Sequence, residues 1–172
     1  MQSVIPCVKL HFAARNTQPL TTPATRASQS MNEYLGGCLC GQIRYQITAE
    51  PIASRVCWCK DCQHLAGNGT ANAVFPTDKV KIQGTLAQYI RTAESGNEVC
   101  RRFCPACGSQ LFANSTGHQG FTVVRVGTLD NPSQVRPTAN IWSSSAPSWA
   151  CLDSGLERIE RAPPSSPPKS AA

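Results

Sequence analysis

A mainly β fold of two packed antiparallel layers is what this sequence predicts, and three observations predict it. Apolar and polar residues alternate at a period of two in many short runs, whereas a helical pattern is plausible in one place only. The 172 residues include 12 Gly and 13 Pro but only 15% charged residues, which suits strands and turns better than a helical bundle. No long helices alternate with the strands, so the layers are expected to be sheets. At 41% hydrophobic, the chain can fill one core, and its length is that of one domain with disordered ends.

Each element can be taken in chain order. Residues 1–32 hold seven Ser and Thr and three bases, Lys9, Arg15 and Arg26, with no acid. This composition reads as a disordered arm, with a transit peptide or an over-extended start as alternatives. Across 42–48, Ile43, Tyr45 and Ile47 alternate with polar residues, the mark of a half-buried strand. Further strands are expected at 72–75, 80–82, 86–91, 99–103, 110–113 and 121–126, with Gly, Asn-Pro or Thr-Asp turn chemistry between several of them. The helix is expected around 59–66. The run Pro163-Pro164-Ser165-Ser166-Pro167-Pro168 cannot pack regularly, so 163–172 reads as a disordered tail and 33–162 as the domain.

No apolar run approaches the ~20 residues of a membrane span. The N-terminus lacks a continuous signal-peptide core, because Pro6 and Cys7 interrupt Val4, Ile5 and Val8. The expected location is the cytoplasm, with organellar import as the alternative if the arm is a transit peptide. The formal charge of +6 does not argue for a nucleic-acid partner. Half of it lies in the arm, no run of five Lys or Arg occurs, and two zinc ions held by seven thiolates would offset the rest.

Ten cysteines are the strongest signal: Cys7, Cys38, Cys40, Cys57, Cys59, Cys62, Cys100, Cys104, Cys107 and Cys151. Seven fall into three tight groups, and cysteines one or two residues apart make poor disulfides. Without a secretory signal, such clusters read as metal ligands. Cys104-Pro105-Ala106-Cys107-Gly108 has the form of a zinc knuckle, in which Gly108 can take the positive φ of the turn. One knuckle supplies two ligands and a closed zinc site needs four. Cys38 and Cys40, two apart on an extended segment, project to the same side and can supply the others. The first expected site is therefore Cys38, Cys40, Cys104 and Cys107.

That leaves Cys57, Cys59 and Cys62 with no obvious fourth protein ligand, the arrangement that distinguishes a catalytic zinc from a structural one. His64, Cys100 and His118 are the candidates that would close it, although His64 reads better as a partly exposed neighbour and Cys100 as a small core residue. Cys7 and Cys151 read as ordinary thiols.

These motifs resemble a known family. Gly36-Gly37-Cys38-Leu39-Cys40-Gly41, Cys57-Trp58-Cys59-Lys60-Asp61-Cys62 and Phe103-Cys104-Pro105-Ala106-Cys107-Gly108-Ser109 are similar to the glutathione-dependent formaldehyde-activating enzymes. The likeness continues through Gly127-Thr128-Leu129-Asp130, residues 137–142 and Ala146-Pro147-Ser148-Trp149. It implies a β-tent fold and two zinc ions per chain, a structural one on Cys38, Cys40, Cys104 and Cys107 and a catalytic one on Cys57, Cys59 and Cys62. It also implies a carbon–sulfur lyase that joins a glutathione-like thiol to formaldehyde or another small carbonyl. The sequence departs from the family's usual wording at Trp58, at Gln63-His64 and at Ala66, positions that flank the second site without touching its ligands.

Zinc suits that reaction because coordination lowers a thiol's pKa and supplies a thiolate at neutral pH. Arg101 and Arg102 could meet substrate carboxylates, but a solvated strand face is the expected role. Asp130 reads as a turn residue, and Trp142 and Trp149 as core or rim packing. The rival from another class is a zinc module without catalysis that binds a partner, since the family's domain also occurs in a centromere protein. A third reading keeps the metal logic and changes the substrate to another carbonyl or an imine.

Overall fold

The computed structural model describes residues 32–162, so the expectations for the arm and for 163–172 fall outside the described residues. Eleven strands and one helix occupy this region. They are β1 (Tyr34–Gly37), β2 (Arg44–Ile47), β3 (Ala53–Cys57), α1 (Lys60–Ala66), β4 (Thr70–Pro76), β5 (Val80–Gln83), β6 (Ala87–Thr92), β7 (Glu98–Phe103), β8 (Gln110–Ser115), β9 (Phe121–Arg125), β10 (Ala139–Ile141) and β11 (Glu157–Ile159). One sheet has the order β1-β2-β5 and the other β11-β10-β3-β4-β9-β8-β7-β6. A bridge between Gly36 and Leu129 joins β1 to the loop after β9.

The alternation in β2 does what its sequence dictates: Tyr45 and Ile47 are buried while Arg44 is exposed. Both sheets contribute to one core, in which Tyr34, Ile43, Tyr45 and Ile47 meet Ala73, Phe75, Leu111, Phe112 and Val124. Tyr45 stands edge-on to Phe112 with ring centroids 5.0 Å apart, and Tyr34 tilts against Phe75 at 5.4 Å. Leu111 and Phe112 are adjacent yet both fully buried. A register shift explains this, because Phe103 pairs with Gln110 and Arg102 with Phe112, leaving Leu111 as the extra residue of a bulge.

All seven expected strands and the expected helix are present. Four further strands were not singled out. β1 carries two glycines, and β10 and β11 have three residues each, too short to display a period. The pairing is mainly antiparallel, as expected, and β10 adds two parallel pairs, with β3 and with β11. Strand direction is invisible in such short segments, since side-chain alternation reads the same for a parallel or an antiparallel neighbour. Among the described residues no helix is long and apolar enough to cross a membrane.

Candidate metal centres

Both cysteine groups form at turns that the local sequence dictates. Cys38 and Cys40 lie in the β1–β2 turn, and Cys104 and Cys107 in the β7–β8 turn. The knuckle closes through Gly108 N–H to Cys104 C=O at 2.9 Å, and Gly108 takes φ 73°, a conformation costly to any residue with a Cβ. Leu39 N–H donates to the Ser109 hydroxyl at 3.1 Å, linking the two turns directly. All four sulfurs lie within 4.8 Å of one another, with Cys38–Cys40 at 3.4 Å and Cys40–Cys104 at 3.7 Å. A tetrahedron of thiolates at the usual zinc–sulfur length of ~2.3 Å has an edge of about 3.8 Å, so the donor set fits that ion.

The first group is anchored in the core. Cys104 is fully buried and Cys38 nearly so, whereas Cys40 is exposed. Ile43 N–H donates to the Cys38 sulfur at 3.2 Å. The Ser109 hydroxyl and N–H hold the Cys107 thiol well below the usual range, at about 5, which suits a thiolate ligand.

The second group occupies six residues of chain. Cys57 ends β3, Cys59 is the N-cap of α1, and Cys62 lies in the helix's first turn. Cys59 has extended backbone, φ −60° and ψ 155°, and its sulfur accepts the Cys62 N–H at 3.5 Å. The helix stops at Gly67, where φ is 70°. The three sulfurs lie within 4.8 Å of one another, and among the described residues no fourth His, Cys, Asp or Glu joins them. Contacts with Cys59 and Cys62, followed by burial, push the Cys57 thiol strongly up. The thiols of Cys57 and Cys59 and the charge of Arg125 hold Cys62 far down. Three crowded sulfurs that cannot all ionise together are a donor set that a divalent cation satisfies.

The wall behind this group is buried and polar. Trp58 is 4% exposed, its N–H meets Ile141 C=O at 2.9 Å, and its indole N–H donates to Asn140 Oδ1 at 3.1 Å. Gly69 lies against the indole so closely that a Cβ there would sit 2.6 Å from the ring. The Gln63 amide N–H donates to Trp58 C=O at 2.5 Å and to Ser145 C=O at 2.9 Å. Arg125 of β9 places Nη1 3.7 Å from the Cys62 sulfur and 2.6 Å from Asn72 Oδ1. It also lines a cavity of about 280 Å³, walled by Leu65, Ala66, Gly69, Ala71 and Gly127.

The other residues considered from the sequence are distributed as follows. His64 and His118 are exposed and outside both groups. Cys100 lies mid-strand in β7, half-buried rather than in the core, with its sulfur 3.6 Å from Gln88 Oε1. Cys151 is exposed and Cys7 lies outside the described residues. Arg101 corrects the expectation of a solvated face: it is 7% exposed and bonds Asp61 of α1 at 2.5 Å. Arg102 is half-buried, bonds Asn114 and lies over the Phe112 ring. Asp130 pairs with Arg44 across an exposed surface. Trp142 is half-buried, with the left-handed φ of 57°, and Trp149 is 67% exposed, so it does not pack as expected.

Sequence reasoning missed Arg125, Asn72 and Asn140. The available signal was a charge inside the apolar run Phe121-Thr122-Val123-Val124-Arg125-Val126, where a solvated residue has no place.

Taken together, these features define a small two-sheet protein with two cysteine groups able to hold metal. The profile of the family described as glutathione-dependent formaldehyde-activating enzyme matches residues 33–145, more than half of the chain. The chain belongs to that family. Among solved structures, a Rhodobacter sphaeroides protein determined by crystallography is similar at 21% identity and a TM-score of 0.47. That similarity covers 58% of this chain and 93% of the other. No curated protein matches the chain.

Proposed function

We propose that the chain is a zinc-dependent carbon–sulfur lyase that adds a glutathione-like thiol to formaldehyde or another small carbonyl. The observation that carries this reading is the unequal pair of sulfur groups: four in one, three in the other, with no fourth ionisable ligand in the smaller among the described residues. In this reading Cys38, Cys40, Cys104 and Cys107 hold a structural ion. Cys57, Cys59 and Cys62 hold a catalytic one, which when bound supplies an open position where a thiol is kept deprotonated and a carbonyl polarised.

The protein's own residues then have defined tasks. β3 and the cap of α1 fix the three sulfurs on one short segment, so the ligands cannot drift apart. Trp58 and Asn140 form a buried, hydrogen-bonded wall behind them. In the forward reaction the substrate's sulfur bonds to the carbonyl carbon while the C=O π bond breaks. The proton given up by the thiol ends on the new hydroxyl, so no oxidant or reductant is required. Membership of the family supports the reaction class, and the departures at Trp58, Gln63-His64 and Ala66 leave the thiol and the carbonyl to be determined.

The test is exchange NMR with formaldehyde and a panel of thiols, with zinc measured on the same sample. The reading expects two zinc ions per chain, enhanced exchange with at least one small thiol, and one ion more readily lost to competing thiols. Two equally firm ions and no exchange with any thiol would instead favour a zinc module that binds a partner.

A further inference from the structure

We propose that Arg125 is a positioning residue whose buried guanidinium offsets one unit of the negative charge that the sulfur group and an incoming thiolate bring together. This rests on reading the three-cysteine group as the catalytic zinc site.

The geometry makes the assignment. Arg125 is 8% exposed, and a cation so buried must have its charge answered inside the protein. Among the described residues no carboxylate answers it: the ion pairs involve Arg44, Lys79, Arg91 and Arg101. Arg101, equally buried, has Asp61. Arg125 has instead the neutral Asn72 amide oxygen at 2.6 Å and the Cys62 sulfur at 3.7 Å. The partner of this cation is therefore the sulfur group.

Charge arithmetic gives the arrangement a purpose. Three thiolates around one divalent ion carry a net charge of −1, and a substrate thiolate as fourth ligand makes it −2 in a buried setting. Arg125 returns the total to −1. Among the described residues Arg125 is also the one charged residue lining the cavity of about 280 Å³, so the residue that contacts the Cys62 sulfur also offers a cation to an anion entering that cavity. Asn72 fixes the fork from behind and is held in turn by its own amide N–H donated to Thr70 C=O at 3.0 Å. The substrate class that follows is a thiol that binds as its anion.

The experiment compares the wild-type chain with Arg125→Gln, Arg125→Lys and Asn72→Asp, using cobalt(II) as a spectroscopic probe and a thiol titration. Arg125→Gln is expected to weaken metal binding at the three-cysteine site by about 10- to 100-fold in chelator competition. It should also shift the sulfur-to-cobalt absorption and raise KM for the thiol about tenfold, with a smaller change in kcat. Arg125→Lys restores much of each. Asn72→Asp keeps the arginine but gives it a carboxylate, and is expected to raise the thiol KM as well. This second variant keeps the test decisive should Arg125→Gln fail to fold. An unchanged absorption, chelator midpoint and KM in Arg125→Gln, or an unchanged KM in Asn72→Asp, overturns the proposal while leaving the enzyme reading intact. A wild-type chain whose second group takes no metal overturns both.

Discussion

The two sulfur groups use similar local chemistry and stand in opposite relations to the fold. The larger draws its sulfurs from turns more than 60 residues apart in sequence, with Cys38 and Cys104 inside the hydrophobic core. The smaller takes all its sulfurs from one strand end and the first turn of one helix, and rests on buried polar residues beside a cavity. An ion in the first is a cross-link between distant parts of the chain; an ion in the second is an ornament on a segment that its neighbours already hold. Removing a ligand should therefore cost stability at one and chemistry at the other.

The largest expected effect breaks the comparison open. Cys104→Ser should leave the domain unfolded or nearly so. Structural zinc in small domains is worth about 10–16 kcal/mol, comparable to or larger than the ~5–15 kcal/mol of a whole domain's stability. Far-UV circular dichroism and a thermal melt read this directly, and a native-like melt would remove the cross-link from the account.

Cys59→Ser comes next. Serine is a good helix cap, so its oxygen can replace the sulfur that now accepts the Cys62 N–H. The melt should move by less than about 1 kcal/mol, while activity falls at least ~100-fold, the upper end of what losing even a ligand's supporting partner costs. A melt as poor as that of Cys104→Ser would erase the distinction between the groups.

Gly69→Ala probes the wall of the second group without touching a sulfur. The new Cβ meets the Trp58 ring at 2.6 Å, an overpacking expected to cost about 1–3 kcal/mol. A lowered melting temperature with an altered indole emission is the expected signature. An unchanged emission would mean that the wall yields elsewhere.

The smallest effect lies at an exposed ion pair on β2, touching no sulfur of either group. Arg44 and Asp130 are each about half exposed, so Asp130→Asn should cost under about 1 kcal/mol. The bond from Arg44 holds the Asp130 carboxyl below its ordinary value of 3.8, so the pair stabilises the fold above that pH and stops doing so as pH falls through the lowered value. Urea midpoints of wild type and variant should differ slightly at pH 7 and converge in strong acid.

Much of this was legible in the sequence because strands half-buried in a sheet must alternate, as Ile43, Tyr45 and Ile47 do. The grouping of seven cysteines was legible because thiols two or three positions apart have metal-ligand spacing, and a closed site needs two such pairs. What escaped depends on tertiary context. Arg101 looks solvated until α1 brings Asp61 to it, and Arg125 looks like one strand residue among several until Asn72 and Cys62 converge on its guanidinium. Strands β10 and β11 escaped because three residues carry no period.

Those two short strands have a consequence for where the molecule ends. β11 runs from Glu157 to Ile159, beyond residue 145 where the family profile stops matching. Yet Ile159 is in register with Ile141, and Ile141 with Cys57, so β11 is two ladder rungs from a cysteine of the smaller group. Trimming the polypeptide at the family boundary would bare the flank of β10 and strip away the Arg161 carbonyl that receives the Trp142 N–H. The stretch past the boundary is thus a brace for the strand end that carries Cys57.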